Sequence, residues 1–125
     1  MSLRVGVVGA GGFGRAIALA SARHGHEVVL WSRRERDLPD PIRMSTDVAD
    51  IRDCELVFLA VPARHAVEVA EQLGEVVDGR HSMVHVSRGL VGAELKTITQ
   101  VIRDKTVCRR LGALAGPLVA YALAE

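Results

Sequence analysis

Apolar runs of strand length alternate with helical spacings along this chain. Val5, Val7 and Val8 mark a first strand over about Arg4–Val8, and a helix follows from about Gly12 to His24. Gly25 stands where a helix C-cap is expected. Glu27–Trp31 forms the second strand. The segment Arg36–Met44 holds Pro39 and Pro41, which predicts a loop with a short strand at its end. Thr46 or Asp47 is placed to cap a short helix over Asp47–Asp53. Leu56–Val61 is continuously apolar, as a central strand buried on both faces should be. Ala66, Val69, Ala70 and Leu73 fall at i, i+3, i+4 and i+7, one face of a helix that Gly74 ends. Ser82–Ser87 reads as a further strand, Leu95, Ile98 and Ile102 have helical spacing, and Leu111–Ala115 reads as a last short strand. Gly116-Pro117 then opens a final helix. Such alternation predicts an α/β fold: one doubly wound, mostly parallel sheet with helices on both faces, three layers in all.

The turn after the first strand reads Gly9-Ala10-Gly11-Gly12-Phe13-Gly14. Strand, G-x-G-x-x-G, helix and strand in that order form the fingerprint of a dinucleotide-binding (Rossmann) unit. Gly9 allows the sharp turn off the strand, Gly11 allows close approach of a pyrophosphate, and Gly14 allows the helix to pack closely on the sheet. The helix beginning near Gly12 aims free N–H groups and the positive end of its dipole at the phosphates.

In such a sheet the ligand lies across the carboxyl ends of the strands. The loops meeting there are Gly9–Gly14, Trp31–Arg34, Val61–Arg64 and Ser87–Gly89, with Gly116–Leu118 nearby. Many NAD-specific proteins carry an Asp or Glu at the tip of the second strand. Here the tip is Ser32, followed by Arg33 and Arg34. A hydroxyl with two guanidinium groups suits a ribose 2′-phosphate. NADP(H) is therefore favoured over NAD(H), although Glu35 and Asp37 are close enough in sequence to neutralise the pair. Val61 and Pro62 end the buried strand, either to press on the nicotinamide ribose or only to stop pairing. His65 is a candidate catalytic acid or base, but it begins an amphipathic helix and is expected instead to cap it or face solvent. His24 with His26, and His81 with His85, lack the carboxylate or thiolate company of a metal site, so no metal is expected.

Composition narrows the class. With 125 residues, 49% of them hydrophobic, the chain is long enough for one domain with a real core. A net charge of +1 and 3% aromatic residues argue against nucleic acid and membrane as partners. Cys54 and Cys108 make no disulfide framework, and Cys54 is expected to pack as a small hydrophobe. No N-terminal stretch has the form of a signal peptide, and no run reaches the ~18 apolar residues needed to span a bilayer. A reduced, cytoplasmic protein is the expectation.

The order and spacing of Gly9–Gly14, Leu30-Trp31-Ser32-Arg33-Arg34, Leu59-Ala60-Val61-Pro62, Ser87-Arg88-Gly89-Leu90 and Ala115-Gly116-Pro117-Leu118-Val119-Ala120 resemble the N-terminal domain of bacterial-type NAD(P)-dependent glycerol-3-phosphate dehydrogenase over essentially the whole chain. The glycine motif and Ala-Val-Pro are shared with other dehydrogenases; Arg88-Gly89 and Gly116-Pro117-x-x-Ala120 are more specific. The resemblance implies hydride transfer between a nicotinamide and dihydroxyacetone phosphate or sn-glycerol 3-phosphate, a small phosphorylated substrate. It also implies cofactor phosphate contacts at Gly12 and Phe13, adenosine-end contacts at Arg33 and Arg34, and a further cofactor contact at Ala120. Arg88 and Gly116 fall where the family holds both cofactor and substrate, which makes Arg88 the candidate catalytic residue of this chain. Three positions depart from the pattern. Arg88 stands where the family usually has Lys, and it cannot transfer a proton at neutral pH. Leu118 replaces a Ser in the substrate region, and Gly12 replaces a common Ser. The family's helical second domain, with its principal catalytic lysine, does not follow within these residues. The chain is thus expected to be truncated, to be inactive alone, and to expose a docking face through which it could form a homodimer. Two rival readings stay open: an NADP-dependent reductase of another phosphorylated or carboxylated substrate, and a non-catalytic NADP-binding module.

Overall fold

The computed structural model describes residues 2–85, 90–91, 96–106 and 110–113. Six strands form one parallel sheet: β1 (Arg4–Val8), β2 (Glu27–Trp31), β3 (Arg43–Ser45), β4 (Leu56–Leu59), β5 (Ser82–His85) and β8 (Arg110–Ala113), in the order β3-β2-β1-β4-β5-β8. The chain starts in the middle, winds to one edge, returns past β1 and winds to the other edge. The crossover between β2–β1 and β4 places a crevice at the carboxyl ends of those strands.

The two faces of the sheet are separate apolar clusters, set by the alternation of side chains along each strand. Val5 and Val7 of β1, with Val28 and Leu30 of β2, pack against Ile17 and Ala18 of helix α1 (Gly12–Arg23). On the other face Val8, Trp31, Val57, Leu59 and Met83 meet helix α2 (Ala63–Leu73) through Ala66, Val69, Ala70 and Leu73, and helix α3 (Ile98–Lys105) through Val101 and Ile102. All four residues of the α2 stripe are buried, as their spacing predicts. Layers on both sides of a parallel sheet confirm the α/β/α reading.

Element ends follow local chemistry. Helix α1 stops in a Schellman arrangement: Gly25 N–H bonds to the carbonyl of Ala22, His26 N–H to that of Ser21, and Gly25 takes φ +85°. The expected short helix is a single 3-10 turn, Val48–Ile51, whose first amides are met by Asp47: its carboxylate accepts from Ala49 N–H at 3.0 Å. Strand β4 ends at Leu59, not at Val61, because Ala60 and Val61 already turn toward α2. Ala60 N–H keeps one last ladder bond to Val8 (2.8 Å), and Pro62, with φ −56° and ψ 146°, is the α2 N-cap. A second, two-stranded antiparallel sheet, β6 (Leu90–Val91) with β7 (Lys96–Thr97), was not expected from the apolar pattern. Two-residue strands are too short to show a period. The sequence-based readings for Leu95, Val86–Ser87, Leu114–Ala115 and the helix opened by Gly116-Pro117 lie outside the described residues.

Candidate functional site

Gly9 ends β1 with φ +120°, a conformation that side-chain-bearing residues rarely adopt. Its N–H reaches across to the carbonyl of Trp31 at 2.9 Å, so the tips of β1 and β2 are tied just where the chain turns. A Cβ on Gly9 would collide with the carbonyl of Ala60, and one on Gly14 would collide with the carbonyl of Gly9. Helix α1 is therefore seated directly on the turn, backbone against backbone. Gly11 differs: a Cβ there meets nothing within 4 Å, so open space lies in front of it.

Gly11 is the N-cap of α1, in extended conformation and with no side chain to cap the helix, and no acidic residue stands in the first turn. The first free amides of a 12-residue helix thus meet no side-chain acceptor, which leaves their partial positive charge available to an anion.

A cavity of about 520 Å³ opens over this turn, lined by Gly9, Ala10 and Gly11, by Trp31, Ser32, Arg33, Arg34 and Arg36 after β2, by Ala60, Val61 and Pro62 after β4, and by His65 and Val69 of α2. Of the sequence-based candidates it gathers Gly9, Gly11, Ser32, Arg33, Arg34, Val61 and Pro62. Gly12 and Phe13 begin α1 beside it without lining it, and Gly14 is buried beneath. Arg88, Gly116, Leu118 and Ala120 lie outside the described residues.

The rim is cationic but not unopposed. Arg33 is about half exposed, and its Nη2 donates to Glu68 Oε2 at 2.8 Å and lies 3.5 Å from His65 Nδ1. The residue opposing Arg33 is therefore Glu68, from the second turn of α2, and not the sequence neighbours Glu35 or Asp37. His65, expected to cap α2 or face solvent, is the helix's third residue and faces the cavity half-buried. Arg15 Nη2 donates to the carbonyl of Asp37 at 3.1 Å, fixing the loop after β2 against α1. Trp31 is 5% exposed, and its indole Nε1–H is buried without a hydrogen-bond acceptor, a donor that costs about 1–3 kcal/mol to leave unmet.

A wider cavity of about 620 Å³ lies on the far side of Trp31 and is lined by Asp47, Glu68, Glu71 and Glu75 with Thr46, Val48 and Gln72. Four carboxylates and no cation make it the wrong sign for a phosphate. The chemistry expected of the glycine turn belongs to the smaller cavity. Arg36 and Val69 gained no site role from the sequence, and Glu68 had no signal there at all. Its role exists only because α2 crosses the tip of β2. Among the described residues no group of three or more His, Cys, Asp or Glu is placed to hold a metal ion, and no helix is long and apolar enough to cross a membrane.

Comparison with known proteins agrees with this geometry. A family model described as the N-terminus of NAD-dependent glycerol-3-phosphate dehydrogenase matches residues 4–38 and 35–125. The glycerol-3-phosphate dehydrogenase [NAD(P)+] of Thermoanaerobacter sp. (strain X514) is 30% identical over 82% of this chain and 36% of its own length. That of Alkalilimnicola ehrlichii is 30% identical over 94% of this chain and 41% of its own. The chain thus spans about two fifths of the relatives it matches. In three dimensions it superimposes on the glycerol-3-phosphate dehydrogenase of Coxiella burnetii with a TM-score of 0.85 at 20% identity, covering 98% of this chain and 43% of that one. The corresponding enzyme of Saccharomyces cerevisiae gives 0.84 at 21%, covering 99% and 44%. At that identity the likeness establishes the fold. With the family model matched along nearly all of its length, the chain belongs to the NAD-dependent glycerol-3-phosphate dehydrogenase family and corresponds to its N-terminal region.

Proposed function

We propose that this chain is the cofactor-binding part of a glycerol-3-phosphate dehydrogenase, holding NAD(P)(H) with the diphosphate over the Gly9–Gly14 turn and the adenosine end toward Arg33 and Arg34. The observation that carries the proposal is the uncapped start of α1, seated on a glycine-lined turn that leaves space in front of Gly11. The residues present fit the group. Gly11 leaves room for the phosphates, and the amides that follow it supply donors.

When bound, the nicotinamide supplies hydride transfer to or from the carbinol carbon of a small phosphorylated substrate. The protein's own part here is to bind and orient. Ser32, Arg33 and Arg34 receive the adenosine ribose, with two guanidinium groups favouring a 2′-phosphate and hence NADP(H) over NAD(H). Val61 and Pro62 wall the cavity on the β4 side and limit where the nicotinamide half can lie. Arg88 is proposed to hold both cofactor and substrate by charge, Gly116 and Leu118 to contact substrate, and Ala120 to contact cofactor.

Fluorescence titration of NADPH and NADH against the wild-type chain and an Arg33→Ala/Arg34→Ala variant tests this. The expected result is a loss of NADPH affinity of about tenfold or more, with NADH changed by less than about twofold, since charge-assisted bonds to phosphate contribute ~1.5–3 kcal/mol. Equal weakening of both would overturn the NADP preference. Failure of either dinucleotide to bind the wild type would overturn the cofactor site itself.

A further inference from the structure

Glu68 is the acidic side chain that meets the cationic rim, and it does so from a different element. Its carboxylate holds Arg33 Nη2 at 2.8 Å, while Arg33 lines the cavity over the glycine turn and Glu68 lines the acidic cavity beyond Trp31. The ion pair therefore stands on the wall between a site suited to phosphate and a cluster of carboxylates. We propose that Glu68 sets the discrimination between phosphorylated and unphosphorylated dinucleotides at this site, by holding the Arg33 guanidinium that a 2′-phosphate needs. This rests on the cofactor reading given above.

Carboxylate and phosphate are alternative acceptors for the same guanidinium donors. A ribose without a 2′-phosphate carries no charge there, so it leaves the Arg33–Glu68 pair in place and is indifferent to it. A 2′-phosphate must draw Arg33 away from Glu68. It then sits close to a carboxylate that has lost its partner, with Glu75 and the Lys105-paired Glu71 beyond it. Both effects act against the phosphorylated dinucleotide alone. The pair is solvent-exposed on both sides, 47% and 60%, so breaking it is cheap enough for a phosphate to achieve. Glu68 thus moderates the preference created by Arg33 and Arg34 without abolishing it, which leaves a site able to accept either dinucleotide.

Isothermal titration of NADPH and NADH into the wild-type chain and into Glu68→Gln, Arg33→Ala and the double variant tests the proposal. Glu68→Gln is expected to tighten NADPH about fivefold and to leave NADH within about twofold. The gain should shrink in the Arg33→Ala background to the part that direct repulsion between Glu68 and the phosphate supplies, and shrink again as salt rises, because it is electrostatic. An unchanged NADPH/NADH affinity ratio in Glu68→Gln, with both dinucleotides still binding, overturns the role of Glu68 and leaves the cofactor site standing. A gain undiminished by the loss of Arg33 likewise overturns it, since holding Arg33 is the role proposed. Absence of binding in every protein, wild type included, overturns the cofactor reading and this inference with it. Glu68 is exposed enough that the variant should fold normally, which circular dichroism verifies.

Discussion

Gly6, in the middle of β1, sits directly beneath a thiol and a methyl group: a Cβ there would lie 3.0 Å from Cys54 Sγ and 3.1 Å from Ile51 Cδ1. The missing side chain lets the 3-10 turn and the residues after it press against the sheet, where Ile51 and Cys54 are both buried. The apolar pattern foresaw Cys54 as a small hydrophobe but gave no reason for Gly6, because a glycine inside a strand carries no periodic signal. Burial, and then the nearby charge of Asp53, push the Cys54 thiol up from 9.0 to about 11. The unfolded chain loses this proton near pH 9 while the folded chain keeps it. Folding stability is therefore expected to fall between pH 9 and 11. Urea titrations across that range, compared with Cys54→Ala, should show a steeper fall in the wild type. Parallel curves would remove Cys54 as the cause.

At the scale of elements, the legible parts were those set by local rules. The Gly25 stop of α1, the Asp47 cap and the four-residue stripe of α2 each depend on residues within a turn or two of one another. What the sequence hid depends on crossings between distant elements. Glu68 reaches Arg33 only across the gap between α2 and β2, and His65 faces the cavity only because α2 begins at its edge. His81 is a similar case. Read from sequence as one of two histidines sharing strand parity, it lies just before β5, 1% exposed, and joins two loops. Its Nδ1 accepts from Asp78 N–H at 2.9 Å, and its Nε2 donates to the carbonyl of Arg52 at 2.9 Å. His81→Ala removes a fully buried ring and leaves two part-buried backbone groups without their partner, and is expected to cost about 2–3 kcal/mol. Chemical denaturation measures this; a cost under about 0.5 kcal/mol would show that water replaces the ring at no penalty.

For the whole molecule, the strand order β3-β2-β1-β4-β5-β8 brings to one crevice the turns that follow Val8, Trp31 and Leu59 at the ends of β1, β2 and β4. The alternation of strands and helices made that arrangement readable, since a parallel sheet admits few topologies. A ligand held in the crevice touches all three turns at once and stabilises the native state by mass action. NADPH at about a hundred times its dissociation constant should add about 2.7 kcal/mol. The melting temperature should then rise by roughly 10 °C. Differential scanning fluorimetry reads this directly, and an unmoved transition at saturating NADPH and NADH would contradict the proposed site.

The backbone seam of Gly9, Gly14 and Ala60 has a consequence for how the molecule reports on itself. The Gly9–Gly14 turn and the end of β4, which are far apart in sequence, abut there with nothing larger than the Ala60 methyl and the edge of Val61 between them. A half-assembled sheet has no weaker version of this cradle to offer, because either stretch alone lacks the other side of the seam. Occupancy by a dinucleotide would then report molecules in which the two have met, and titrating it during refolding would time their meeting.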